Sequence, residues 1–324
     1  MKRSALLGRV CLILATLIWG SSFVLMKFTV SDINPFWLIS IRFTIASILF
    51  GLISIIGVNR FNLLSKRAFY GSILMGISLS LAYLFQTCGL QYTTPGKNAF
   101  ITASYCVLVP FVAWLMFKKK PSIVNIIAAV LCFIGIAFVS FESLDSLLSK
   151  GDLLTLICGF FFALQIVQTD KYANGQDPLP VTAVMMMSAA ATSWIAAFFF
   201  AEDIGTFSLN ICINIFYLAL MCTGLCYFLQ TVGLKYTPHN TAAVLMCLES
   251  VFGITFSVLL YNEKLTATTI IGFILIFFSI LFISRNMKMI LYPNADQIRQ
   301  IERNLYVHHF VYKIRHDQLG CAGL

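Results

Sequence analysis

In a chain this apolar, the residues able to do chemistry are the polar ones left inside hydrophobic runs. Two such sets repeat. Residues 83–93 read YLFQTCGLQYT and residues 227–237 read YFLQTVGLKYT, so Tyr83 and Gln86 recur as Tyr227 and Gln230. A third set, Asn98, Thr102 and Tyr105, stands at i, i+4, i+7 on one helix face. A fourth, Gln165, Gln168, Thr169 and Tyr172, makes a similar stripe. Glu249 is the one carboxylate deep in an apolar run, about 16 Å in at about 1.5 Å per residue. That is near the middle of a hydrocarbon core about 30 Å thick. Such a group must face a cavity, pair, or take up a proton. Amides, hydroxyls and one carboxyl aimed at a common centre would bind a small polar solute and offer one proton carrier.

Each of these residues also has a packing alternative. Glu249 could bond Gln230 or a backbone carbonyl, and hydrogen bonds between helices could account for some of the stripes. Trp19 and Phe23 lie at i, i+4 and either wall an apolar substrate or pack. Arg42 lies about seven residues inside its run, so snorkelling to the interface or a structural role competes with anion contact. Lys27, near a span end, is expected to snorkel. Cys222 and Cys226 share a helix face, but no His or carboxylate is near them in sequence, so they read as small hydrophobes.

The elements that position these residues follow from composition. The chain is 59% hydrophobic and 11% charged, against about a quarter charged in soluble domains. It belongs in a bilayer. The net charge of +9 is explained by Lys and Arg retained in cytoplasmic loops, and aromatic RNA-binding motifs are absent. The ten cysteines lie mostly in apolar runs and do not form a disulfide framework. No small-x-small cleavage site follows the first apolar run, which is kept as a helix.

Ten spans are expected: 8–30, 35–57, 68–91, 95–117, 121–141, 151–171, 180–201, 208–232, 238–261 and 266–285. Pro35, Pro95, Pro121, Pro180 and Pro238 fall at span starts. Basic residues such as Arg60, Lys66, Lys118–Lys120, Lys171 and Arg285 fall on one side, and Asp32, Glu142, Asp145, Glu202, Asp203 and Glu263 on the other. Both termini are therefore expected in the cytoplasm. Residues 286–324 read as a basic cytoplasmic tail; its His308–His309 pair is a weak metal signal.

Shifting 81–140 by 144 positions onto 225–284 gives 19 identities in 60 pairs. The chain thus reads as two related halves, 1–145 and 146–285. Five spans per half is odd, so the second half enters from the opposite face. That makes an inverted repeat, an arrangement typical of transporters.

These residues resemble a known family. Trp19-Gly20-Ser21-Ser22-Phe23, Arg42, Gly89-Leu90-Gln91-Tyr92-Thr93 leading to Asn98-Ala99-Phe100-Ile101-Thr102 and Val109-Pro110, then Leu248-Glu249-Ser250-Val251-Phe252 and Asn262-Glu263-Lys264, are similar to EamA-type transporters of the drug/metabolite transporter superfamily. The resemblance covers about 8–285. It departs at Ser250, where many relatives carry proline, and at Lys119, where the first-half copy often has glutamate.

The expectation is an all-α membrane protein with ten transmembrane helices in two inverted five-helix repeats. It would work as a secondary transporter, exporting small metabolites such as amino acids or drug-like compounds across the cytoplasmic membrane by alternating access. Substrate would meet Trp19, Tyr83, Gln86, Asn98, Tyr105, Gln165, Gln230 and Glu249, with Glu249 also serving proton coupling. The partners expected are a small-molecule substrate and the bilayer, with room for a homodimer and none for nucleic acid. No cofactor, no metal and no enzymatic activity are expected, since nucleotide, zinc and nucleophile motifs are missing. The alternative is a non-transporting membrane scaffold or a membrane enzyme.

Overall fold

The computed structural model describes residues 2–55, 64–118, 120–140, 149–173, 176–237 and 245–286. Arg60, Lys119, Glu142, Asp145, Pro238, His308 and His309 lie outside them, as do residues 287–324. The described chain is helical: α1 Lys2–Thr29, α2 Pro35–Ile55, α3 Lys66–Gln91, α4 Pro95–Thr102, α5 Tyr105–Phe117, α6 Ile123–Ser140, α7 Lys150–Tyr172, α8 Pro178–Phe200, α9 Leu209–Tyr217, α10 Cys226–Tyr236, α11 Leu248–Leu260 and α12 Ala267–Asn286. A π-helical stretch, Leu218–Leu225, joins α9 to α10. No strand occurs among the described residues. An isolated bridge pairs Ile33 with Gly205, whose φ of +92° suits glycine and whose Cβ would meet Asp32 O.

Helix starts are encoded locally. Ser65, Thr94, Ser149, Asp177 and Ser208 cap the helices that follow by accepting a backbone N–H. Pro35, Pro95 and Pro178 open theirs, where a missing N–H costs nothing. α8 therefore starts two residues before the expected Pro180, and Pro121 precedes α6 rather than opening it.

Among the described residues, eight segments are long and apolar enough to cross a membrane, and they correspond to the first eight expected spans. The fourth is α4 with α5, and the eighth runs from α9 through the π stretch into α10. The ninth expected span has residues 238–244 outside the described set and continues as the shorter apolar helix Leu248–Leu260. The tenth is the shorter apolar helix Ala267–Phe282.

The fourth span is broken. At Ala103–Ser104 the ladder tightens to three-residue bonds, with Ser104 N donating to Ile101 O at 3.1 Å and Cys106 N to Ala103 O at 3.1 Å. The ninth span breaks at Cys247, and 247 − 103 is the repeat shift of 144. The half-helices beyond the breaks end at Lys118 (φ 60°) and Asn262 (φ 54°), again 144 apart. Ser250 does not break α11; its hydroxyl donates to Cys247 O at 2.9 Å.

Packing repeats as well. α3 packs against α7, and α10 against α1. A Cβ on Gly89 would lie 2.9 Å from Gly151 O, and one on Gly233 3.2 Å from Gly8 O. Gly89 and Gly233 are 144 apart, so the same backbone approach is built twice from small residues. α2 packs on α8, and α4 and α1 both pack on α11.

Candidate functional site

Helices α1, α3, α4–α5, α7, α10 and α11 surround a cavity holding about 520 Å³ of space, its open mouth included. They belong to the first, third, fourth, sixth, eighth and ninth expected spans. Of the eight residues expected to meet substrate, seven line it: Trp19, Tyr83, Gln86, Tyr105, Gln165, Gln230 and Glu249. Asn98 does not. It is fully buried, donating to Thr155 Oγ1 at 2.8 Å and Gln86 O at 3.2 Å, and so ties α4 to α7 and α3. Asn98 shares a face of α4 with Thr102 but stands one turn nearer the helix start, off the cavity wall, and the break at Ala103–Ser104 separates both from Tyr105.

The fourteen lining residues fall into seven pairs. Tyr83/Tyr227, Gln86/Gln230, Thr102/Met246 and Tyr105/Glu249 are each 144 apart. Trp19/Phe162, Ser22/Gln165 and Phe23/Ile166 are each 143 apart. Bonding partly follows the pairing. Gln86 Nε2 donates to Thr102 Oγ1 at 3.2 Å, while Gln230 Nε2 reaches only Met246 Sδ at 3.9 Å. Trp19 meets Tyr227 edge to face at 5.8 Å, and its counterpart Phe162 meets Tyr83 at 5.3 Å. Tyr83 and Tyr227, the repeated tyrosines, are joined by a side-chain hydrogen bond.

Sequence reasoning missed Ser22, Phe162, Ile166 and Met246 as wall residues. Met246 was readable as the repeat partner of Thr102. The other three needed the shift between α1 and α7, which differs by one residue and is hidden from a gapless comparison.

Glu249 sits in the first turn of α11, immediately after the break in its span. Among the described residues it makes no hydrogen bond or ion pair, so bonding to Gln230 is not its role here. It holds the one carboxyl on the cavity wall among the described residues.

Behind this wall the polar groups are braced. Arg42 is fully buried and does not snorkel. Its Nε donates to Thr223 Oγ1 at 2.6 Å, and its guanidinium stands 4.5 Å from the Tyr83 ring centroid. Thr223 lies in the π stretch and donates back to Leu218 O at 3.0 Å. The widened turn leaves carbonyls to other partners, and Trp19 Nε1 donates to Cys222 O at 2.7 Å. Cys222 and Cys226 are buried thiols, and no cluster of metal-ligating side chains occurs among the described residues.

One end of the helices is fastened by charge. Lys27 Nζ does not snorkel; it donates to the carbonyls of Leu90 (2.7 Å), Gln91 (3.2 Å) and Thr93 (2.8 Å) at the end of α3. Thr93 Oγ1 donates to Asp152 Oδ1 at 2.8 Å, and Glu263 accepts from Thr94 Oγ1 and from Gly96 N at 2.9 Å.

A bundle of membrane-length helices around a central, internally paired cavity is the architecture of a multi-span membrane protein with a solute site. The chain belongs to the EamA-like transporter family, whose profile matches twice, over residues 6–141 and 149–285. An uncharacterized transporter of Archaeoglobus fulgidus is 31% identical over 275 residues, 84% of either chain. The uncharacterized transporter YoaV of Bacillus subtilis is 22% identical over 270 residues, 82% of this chain and 92% of its own. A solved crystal structure superposes with a TM-score of 0.62 at 15% identity, over 90% of this chain and all of that one, which shows a shared fold. The protein is a multi-pass membrane transporter, as its resemblance to EamA-type proteins implied.

Proposed function

We propose that this transporter is a secondary exporter of small metabolites, amino acids or drug-like compounds among them, in the cytoplasmic membrane. It works by alternating access, with ten spans in two inverted halves, 1–145 and 146–285, and both termini cytoplasmic. The halves rock about the cavity, which opens to one face and then to the other. Trp19, Tyr83, Gln86, Tyr105, Gln165, Gln230 and Glu249 contact the solute; Asn98 holds α4 against α7 and acts on the site through Gln86. Glu249 carries the coupling proton.

The observation that carries this reading is the pairing of the cavity wall. Each lining residue has a counterpart in the other half, as expected where a pseudo-twofold axis in the membrane plane passes through a central site. The twin helix breaks and the twin glycine crossings support the same axis. A lone carboxyl facing space, with no cation paired to it among the described residues, suits a group that alternates between proton-bound and free.

The test compares metabolites in cells lacking and overexpressing the protein. An exporter lowers the internal level and raises the medium level of a defined set of small solutes. Identical profiles at verified expression contradict the reading.

A further inference from the structure

The wall of the central cavity departs from its own symmetry in charge. One half contributes Tyr105 where the other contributes Glu249, so the cavity holds one carboxyl. Among the described residues no Lys, Arg or His lines it. Arg42, the cation close to the wall, bonds Thr223 and stands against the Tyr83 ring, outside the lining. The rest of the wall is rich in rings: Trp19, Phe23, Tyr83, Tyr105, Phe162 and Tyr227.

The rings are not stacked on one another. Trp19 and Tyr227 are inclined at 75°, Tyr83 and Phe162 at 79°, and Tyr105 and Phe162 at 57°. The Arg42 guanidinium already covers one face of Tyr83, at 4.5 Å from its centroid, which leaves the rings of Trp19, Phe23, Tyr105, Phe162 and Tyr227 to meet a solute. An aromatic face is the negative pole of its quadrupole and attracts an ammonium centre. A carboxylate on the same wall adds a full negative charge. An anionic solute would meet that carboxylate and find no cation to bind it.

We infer that the solute taken by this cavity is an organic cation, an amine or alkylated ammonium carrying an apolar or aromatic body. The inference rests on the transport reading and narrows its substrate class. The cationic centre lies against Glu249 and the inclined rings, with Gln86, Gln165 and Gln230 bonding the polar remainder.

The experiment is calorimetric titration of the purified protein with two probes of nearly one shape and opposite charge, benzyltrimethylammonium and benzylsulfonate. The wild type is expected to bind the cation saturably and at least about tenfold tighter than the anion, the size of effect expected of a desolvated cation–π and carboxylate site. Glu249→Gln should weaken cation binding about tenfold with an unchanged melting temperature. Equal or stronger binding of the anion overturns the inference, and so does failure of both probes to bind. The wild-type comparison stands even if Glu249→Gln folds poorly. Should that variant fold and keep full cation affinity, the inference is again overturned. Exchange of metabolites across vesicles is read separately. Flux of neutral or anionic solutes without cation preference sinks this inference alone, whereas absence of any flux sinks the transport reading.

Discussion

Replacing Gln86 and Gln230 separately by alanine probes two positions that the repeat makes equivalent and the structure makes unequal. Gln86 is 3% exposed, and its amide donates to the buried Thr102 hydroxyl at 3.2 Å. Gln86→Ala deletes that bond and leaves Thr102 Oγ1 with the weaker Cys158 Sγ contact at 3.8 Å, a loss of about 1–2 kcal/mol on the range for interhelical hydrogen bonds. Gln230 is half-buried, and its amide reaches only a thioether sulfur at 3.9 Å, a contact contributing about 0.5 kcal/mol or less. At roughly 2–4 °C per kcal/mol, Gln86→Ala should lower the melting temperature of detergent-purified protein by roughly 2–8 °C, and Gln230→Ala by about 2 °C or less. Fluorescence-detected thermal melting reads both, and flux in proteoliposomes should fall in both. A Gln230→Ala loss as large as that of Gln86→Ala would refute the argument from bonding. Normal flux in both variants would place the solute elsewhere.

Three further outcomes are expected. In a cysteine-depleted protein, a cysteine at Asp203 should react with an impermeant maleimide in intact cells and one at Lys66 only after permeabilisation; the reverse pattern overturns the topology. Gly89→Val places side-chain atoms where a Cβ already stands 2.9 Å from Gly151 O, so it should cost about 1–3 kcal/mol and reduce folded yield, while yield equal to wild type contradicts the close crossing. Glu249→Gln keeps shape but cannot ionise, and should abolish flux driven by a pH gradient while retaining part of the exchange at equal pH; wild-type flux indifferent to the gradient removes the coupling role.

The helices were legible because each property that makes them is local. Apolar runs of bilayer length, capping Ser, Thr and Asp residues, and proline at first turns mark eight spans within a few residues. The repeat was legible through Tyr83–Thr93 and Tyr227–Thr237, and it led to the glutamines, while Glu249 was legible from its depth in an apolar run. What local pattern does not carry is where a helix breaks. The tightened turn at Ala103–Ser104 has no glycine or proline to announce it, and Asn98, one turn before Thr102, is held by Thr155 and Gln86 O rather than facing the cavity. Lys27 read as snorkelling, and Arg42 stayed open between snorkelling, a structural role and anion contact, because depth alone is visible in sequence. The partners that hold them, carbonyls at the end of α3 and Thr223 in the π stretch, lie 63 and 181 residues away. Ser22, Phe162 and Ile166 were hidden by a one-residue change of shift between α1 and α7.

The central claim is that one cavity, walled by both halves, carries solute from face to face. Counterflow tests it most directly. Purified protein in liposomes preloaded with an unlabelled solute drawn from the metabolite comparison should concentrate the labelled form transiently from outside, with no ATP or ion gradient supplied. The account predicts an overshoot with wild type and its loss in Trp19→Ala, which removes one wall of the cavity and the bond to Cys222 O. Labelled solute rising no higher than in protein-free liposomes, for every solute that the cells' profiles single out, would contradict it.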